Sequence, residues 1–146
     1  MAQAPVPTRA EFLLRCVKPE AFEDIDPAIV DACLADETDT CAAYYGDRAT
    51  LPLLKVDGGF IKAVCRRASL ELMASRGYNR QAGADDEIAK AFERATAWLE
   101  GVSAKEIHPY YEDSKPYDAE DGPIGATSKT SDAWTRGCSR DPERCC

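Results

Sequence analysis

The 146-residue chain lacks the sequence signals that mark most enzymes and cofactor-binding proteins. It has no glycine-rich phosphate or dinucleotide loop and no Gly-x-Ser-x-Gly turn around a nucleophile. Its one histidine, His108, lies between Ile107 and Pro109 with no base or nucleophile near it in sequence, so we expect a surface histidine. The acids form no pair that differs from a solvated helix face. We therefore predict a protein that is not an enzyme and has no catalytic residues and no cofactor.

Long hydrophobic runs and an excess of positive charge are also missing. No stretch reaches the roughly 18 apolar residues that a membrane helix needs, and the N-terminus lacks the pattern of a signal peptide. We therefore expect a soluble protein that is not exported and binds no membrane. The formal charge of −8 argues against wrapping nucleic acid, because phosphate contacts need a cationic surface. An acidic surface suits a passage that repels DNA.

The composition is that of a globular protein with room for one domain. Hydrophobic residues make up 45% of the chain and charged residues 30%. Thr8 and Glu11 form a capping box at the start of a short first helix. Asp26 followed by Pro27 begins a second helix, which we expect to end near Tyr45.

Two longer helices complete the predicted core. The third runs from Gly59 to about Arg76, and its apolar arc is so wide that we expect it at the centre. The fourth begins at the acids of residues 85–87, which suit the positive end of a helix dipole, and continues to Val102 with a clear 3.6-residue repeat. Pro52 excludes a helix between the second and the third, so we expect a loop on the core there, with room for a short strand. The predicted fold class is all-α, with a small four-helix core.

The helical period ends after Val102, and prolines and glycines recur along the rest of the chain. Such a segment makes no core of its own. We predict an N-terminal extension of residues 1–7, a helical core of residues 8–102 and a long extended C-terminal arm of residues 103–146 that becomes ordered on partners. Its expected anchors are the spaced aromatic and basic side chains Tyr110, Tyr111, Tyr117, Trp134, Arg136 and Arg140.

Charge is unevenly placed along the core. Residues 26–47 carry six acids and no base, and residues 60–80 carry five bases against one acid. Such faces can pair within the fold or between subunits. Glu37 and Thr38 also occupy positions on the apolar face of the second helix. The residues that we predict at a subunit interface are Asp36, Glu37, Arg66 and Arg67.

The seven cysteines fall into two groups. Four lie on the apolar faces of the predicted helices, where small buried thiols are expected. These are Cys16, Cys33, Cys41 and Cys65. Cys138, Cys145 and Cys146 could form a four-ligand zinc set with His108, but their spacing differs from that of common zinc sites. We therefore predict no metal site.

Several segments between Thr8 and Pro109 resemble, in order and spacing, the small phage head–tail connector proteins related to the Mu-type neck protein. The resemblance is carried by residues 8–13, Asp31–Asp36 leading to Tyr44–Arg48, the Leu51-Pro52-Leu53 turn, the apolar helix with Ile61, Ala63 and Cys65, and Phe92–Gly101, which is similar to the family's Tyr-Glu-x-Ala-x-x-Trp-Leu segment. Gly58-Gly59 departs from the prolines that the family often has before the third helix, and the cysteine-rich end is also a departure.

The resemblance implies a virion protein of the neck, assembled in the host cytoplasm. It would be an α-helical adaptor that forms a ring, usually of twelve copies, below the portal protein and attaches the capsid to the tail. DNA would pass through the lumen without specific binding. The C-terminal arm would reach the portal or neighbouring copies, and a stopper or another neck or tail protein would bind below.

Two other functions agree with parts of the sequence. A stopper or tail-completion protein of the neck would more often be rich in β-strands. A small cytoplasmic regulatory or metal-binding module would use the cysteine-rich C-terminus.

Overall fold

The computed structural model describes residues 5–77 and 83–115, and in these ranges the chain forms four α-helices and a two-stranded sheet. The elements in chain order are α1 (Arg9–Arg15), α2 (Pro27–Ala43), β1 (Leu53–Val56), α3 (Gly58–Ser75), α4 (Gly83–Ser103) and β2 (Tyr111–Asp113), with a 3₁₀ turn at Pro19–Ala21. The predicted fold class is confirmed. The short strand that the sequence allowed after Pro52 is β1.

Local side-chain caps set where three of the helices begin. At α1 the capping box is present: the backbone N–H of Glu11 donates to Thr8 Oγ1 at 3.3 Å, and the N–H of Thr8 donates to the Glu11 carboxylate at 2.9 Å. Asp26 accepts from the N–H of Ala28 at the start of α2. Asp57 accepts from the N–H of Phe60 at 2.9 Å and so caps α3.

The central helix is α3, which packs against α1, α2 and α4. This position explains its wide apolar arc, because three neighbours cover it. A T-shaped pair of rings, Phe12 and Phe22, joins α1 to the turn that follows it, with 5.2 Å between the ring centroids. The largest fully buried side chains are Tyr45, Phe12, Phe22, Phe60, Leu34, Leu53, Leu72, Ile88 and Leu99.

Helix α4 ends in a tight turn that sends the chain back onto the core. The N–H of Glu106 donates to Gly101 O at 2.9 Å and the N–H of Lys105 donates to Val102 O at 3.1 Å. These two bonds form the Schellman pattern, with Lys105 at the left-handed position, φ 64°. A Cβ at Gly101 would lie 2.8 Å from Ile107 Cδ1, so glycine at position 101 leaves room for Ile107 to pack on the end of α4 in this position.

Residues 104–115 then lie against the core, which differs from our expectation that the extended arm begins at residue 103. We refer to residues 104–115 as the strap. Strand β2 pairs antiparallel with β1, with Val56 opposite Tyr111 and an irregularity between Leu53 and Lys55. The rest of the predicted arm, residues 116–146, and most of the N-terminal extension lie outside the described residues.

Arg48 adds side-chain hydrogen bonds to the strand pairing that holds the strap. One guanidinium nitrogen donates to Val102 O at 2.8 Å and to Ile107 O at 2.7 Å, and the other donates to His108 Nδ1 at 2.6 Å. In return, the hydroxyl of Tyr111 donates to Arg48 O at 2.8 Å. One arginine therefore ties the loop before β1 to the end of α4 and to the strap.

None of the described helices is both long enough and apolar enough to cross a membrane.

Candidate functional site

A groove of about 520 Å³ runs along the surface between α2 and α3. We call it the acidic groove, and its main lining residues are Ile29, Ala32, Cys33, Asp36, Glu71 and Leu72. Ile29 is 53% exposed, so apolar surface is open to solvent at the groove. Asp36 and Glu71 are both exposed, and neither has an ion-pair partner among the described residues. The groove thus presents two unpaired carboxylates beside an open apolar surface.

The acidic residues of the groove affect the pKa of the Cys33 thiol. Burial, with the charges of Glu37, Glu71 and Asp36 added to it, raises the pKa of the Cys33 thiol to about 11. The thiol therefore remains protonated at neutral pH, and its hydrogen points to Ala68 O at 3.8 Å. Cys33 is a wall of the groove and not a nucleophile.

Beneath the acidic groove, a buried ion pair joins the three long helices. Arg67 Nε donates to Glu37 Oε2 at 2.7 Å, and the two side chains are 11% and 10% exposed. Arg67 also donates to Thr96 Oγ1 at 2.9 Å and lies over the ring of Phe92 at 4.6 Å from its centroid. Burial lowers the pKa of Arg67, but the hydrogen bond and charge of Glu37 outweigh it, so the pKa is raised and the guanidinium stays charged.

This pair involves two of the four residues that we predict at a subunit interface. We expected Glu37 and Arg67 to meet partners on neighbouring subunits, but in the structure they bind each other within one chain. They face inward because Glu37 occupies an apolar phase of α2, next to the fully buried Thr38. Asp36 and Arg66, the other two predicted interface residues, lie instead on the two surface grooves.

A second groove, of about 250 Å³, lies between α3 and α4. We call it the basic groove, and it is lined by Gly59, Lys62, Ala63, Arg66, Arg94 and Trp98, together with Ala95. Among the described residues none of its three cations has a hydrogen-bond or ion-pair partner. Nε of Arg66 is buried without a hydrogen-bond acceptor, and such an atom normally has one.

Gly59 shapes the basic groove by letting Trp98 approach α3. A Cβ at position 59 would lie 2.9 Å from Trp98 Cζ2, inside the ring's contact distance. Glycine at this position therefore sets the spacing of α3 and α4 where the groove begins. This gives a physical reason for Gly59, whereas a Cβ at Gly58 would make only an ordinary contact, 3.8 Å from an Arg15 nitrogen.

The two grooves lie on opposite faces of α3. The α3 residues of the acidic groove are Glu71, Leu72 and Ser75, and those of the basic groove are Gly59, Lys62, Ala63 and Arg66. At about 100° of rotation per residue, the mean directions of these two sets differ by about 180°. Along the helix axis the two sets are separated by about 15 Å, from the rise of about 1.5 Å per residue. The molecule thus presents an acidic surface and a basic surface that face in opposite directions.

The predicted anchors of the arm have different positions. Tyr110 is 62% exposed, and its hydroxyl donates to the Glu112 carboxylate. Tyr111 is packed at 5.5 Å from the ring of the buried Tyr45 and bonded to Arg48. Tyr111 is therefore part of the strap's attachment to the core, whereas most of the Tyr110 side chain faces solvent. The remaining predicted anchors, Tyr117, Trp134, Arg136 and Arg140, lie outside the described residues.

The thiols of the core are protonated and enclosed. Cys16, Cys41 and Cys65 are buried and free, and burial raises the pKa of Cys41 and of Cys65 to about 12. In the described ranges no three or more His, Cys, Asp or Glu side chains are grouped so as to hold a metal ion. His108 is exposed but binds Arg48 through Nδ1, and the three C-terminal cysteines lie outside those ranges.

The fold and its surfaces define a small helical protein with two oppositely charged grooves. Residues 8–125 match the model of the family described as Bacteriophage Mu, Gp36. The match covers most of the chain, which therefore belongs to this family of bacteriophage proteins. No curated protein and no solved structure gives a significant match to the chain.

Proposed function

We propose that the protein is a structural, non-enzymatic component of the virion neck, a head-to-tail connector that forms a ring below the portal protein. The observation that carries the proposal is membership of a bacteriophage family over residues 8–125. In this role the protein binds the portal, neighbouring copies of itself and a stopper or other tail protein, while DNA passes through the lumen without specific binding.

The charge distribution supports a ring. The acidic and basic grooves differ in charge and face in opposite directions, so a contact between them joins unlike surfaces of two copies. Head-to-tail contacts of this kind close into rings when the rotation between copies fits. The net charge of −8 on each copy, repeated around a ring, keeps DNA from adhering to the wall.

The mainly helical core favours the connector over a stopper or tail-completion protein. We expected that alternative to be rich in β-strands, and the strands of the described residues are confined to Leu53–Val56 and Tyr111–Asp113. Their pairing attaches the strap to the core and forms no larger sheet.

The proposed portal contact of the arm is tested with two truncated chains. A chain that ends at Lys115 keeps the strap and its bonds to Arg48, so we expect it to melt like the full chain and to lose most of its affinity for portal protein from the same phage. A chain that ends at Val102 also loses β2 and should be destabilised. Binding is measured by sedimentation of portal complexes, and helicity by circular dichroism.

The two chains separate a docking defect from a folding defect. Portal binding by the Lys115-terminated chain at full strength contradicts a role of residues 116–146 in docking. A full-length chain that binds no portal protein at all contradicts the connector function itself.

A further inference from the structure

We propose that the basic groove of one copy binds the acidic groove of the next, so that Lys62 and Arg94 meet Asp36 and Glu71 in a repeating head-to-tail contact. This inference rests on the proposed ring and assigns its subunit interface. The proposed occupant of each groove is a second copy of this chain.

Charge complementarity is the first support. Each groove offers exposed charges of one sign, Asp36 and Glu71 on one face and Lys62 and Arg94 on the other, with no ion-pair partners among the described residues. The nearby acid Glu37 is already neutralised by Arg67, which leaves two free carboxylates to face the cations of the neighbour. Matched unlike charges across an interface set its orientation and register.

The buried Nε of Arg66 is the second support. It lies in the basic groove without an acceptor in the part of the chain that the structure describes. A carboxylate from a neighbouring copy would supply the acceptor that this buried donor lacks. The apolar surfaces are also suited to each other, because Ile29 is half exposed at the acidic groove and the Trp98 ring lines the basic one.

The arrangement of the two grooves determines the kind of assembly. The grooves point about 180° apart on α3, so one contact leaves a free groove at each end of a pair. A symmetric dimer, in which both copies use the same patch, would place like charges opposite each other. The contact therefore propagates from copy to copy and produces a ring or a filament, as the connector function requires.

Duplex DNA is a less suitable occupant of the basic groove. The groove is a concave site of about 250 Å³ with an indole wall, which accommodates side chains. Exposed acids stand on the same helix α4, including Glu87 and Glu100, and they repel a phosphate backbone.

The test uses full-length protein with two charge reversals on one groove. One variant, D36K/E71K, reverses the acidic groove, and the other, K62E/R94E, reverses the basic groove. The control, D31K/E100K, makes the same change in charge as D36K/E71K at exposed positions that line neither groove. Association is followed by sedimentation velocity and native mass spectrometry over a concentration series at low salt.

We expect the wild-type chain and the control to associate, and the association to weaken as salt is raised. Each reversed variant alone should need about 100-fold more protein to associate, because like charges then face each other. A mixture of the two variants should assemble again, since each reversed groove complements the other. Reassembly also shows that both variants are folded.

Three results would overturn the assignment. They are a wild-type chain that stays monomeric at every concentration, reversed variants that associate like the control, and a mixture that fails to reassemble. The last result means that another occupant, such as residues 116–146, fills a groove. If the wild-type chain binds duplex DNA and K62E/R94E abolishes that binding, DNA is the occupant of the basic groove. In each case a chain that still binds portal protein remains compatible with the connector function. A wild-type chain that neither associates with itself nor binds portal protein contradicts that function.

Discussion

In both the helical core and the attachment of the strap, one arginine joins separate elements, and the two arginines have different roles. Arg67 is buried, binds Glu37 on α2 and Thr96 on α4, and so joins helices that form one cooperative core. Arg48 is half-buried and binds carbonyl oxygens at the end of α4 and in the strap. We therefore expect loss of the first contact to weaken the whole fold and loss of the second to release one segment.

The largest expected effect follows the removal of Arg67. The variant Arg67→Ala leaves the Glu37 carboxylate buried without a cation, and we expect a loss of about 3–5 kcal/mol in the free energy of unfolding. Denaturant unfolding followed by circular dichroism measures it. The control is Glu100→Ala, which removes an exposed side chain of α4 outside both grooves and should change stability little.

A double replacement separates charge burial from packing. If Glu37→Leu/Arg67→Met recovers most of the stability lost in Arg67→Ala, the loss came from the unpaired charge. A single variant as stable as the wild type would contradict the role given to Arg67.

The second effect is expected at Arg48. Arg48→Ala removes three donated hydrogen bonds, and we expect a loss of about 2–3 kcal/mol because two carbonyl oxygens lose a charged donor. Amide hydrogen exchange should show faster exchange in residues 104–113 while the amides of α3 stay protected. The exposed neighbour Asp47→Ala is the control. Equal acceleration in α3 would contradict the view that the strap is released locally.

The smallest expected effect concerns the charge on the strap and its pH dependence. The hydrogen bond from Tyr110, followed by that from Lys55, lowers the pKa of Glu112 below the ordinary value of 4.5 for a glutamate. The hydrogen bonds that Lys55 and Tyr110 donate to Glu112 are therefore fully present above about pH 4.5. They are lost as the pH falls through the lower pKa of the folded protein.

Carbon-detected NMR titration of the Glu112 carboxyl checks this order. Tyr110→Phe should raise the pKa of Glu112 more than Lys55→Met does, since the hydroxyl bond is the larger cause. An unchanged pKa in both variants would show that the side chain of Glu112 does not bind them in solution.

The helix starts were predictable because their causes are local. The capping box of Thr8 and Glu11, and the caps at Asp26 and Asp57, act within three residues of sequence. Glu37 occupies an apolar position of α2 and is 8% exposed, but no pattern in the sequence indicates its partner, and we expected it at a subunit interface.

The strap and the charge pairing depend on contacts distant in sequence, which local patterns do not encode. Arg48 reaches carbonyl oxygens 54 and 59 residues away, and no periodicity in residues 104–115 indicates their position. Arg66 and Arg67 are neighbours with the same charge, yet one pairs inside the chain and the other lines a surface groove. The difference arises because neighbouring residues of α3 point about 100° apart. Which of the two directions is buried depends on the positions of α2 and α4.

The most direct test of the connector function is electron cryomicroscopy of full-length protein mixed with portal protein from the same phage. We expect a closed ring of this chain below the portal. In that ring the acidic groove of each copy contacts the basic groove of the next, and residues 104–113 remain attached to the core. Portal rings that carry no copy of this chain would contradict it.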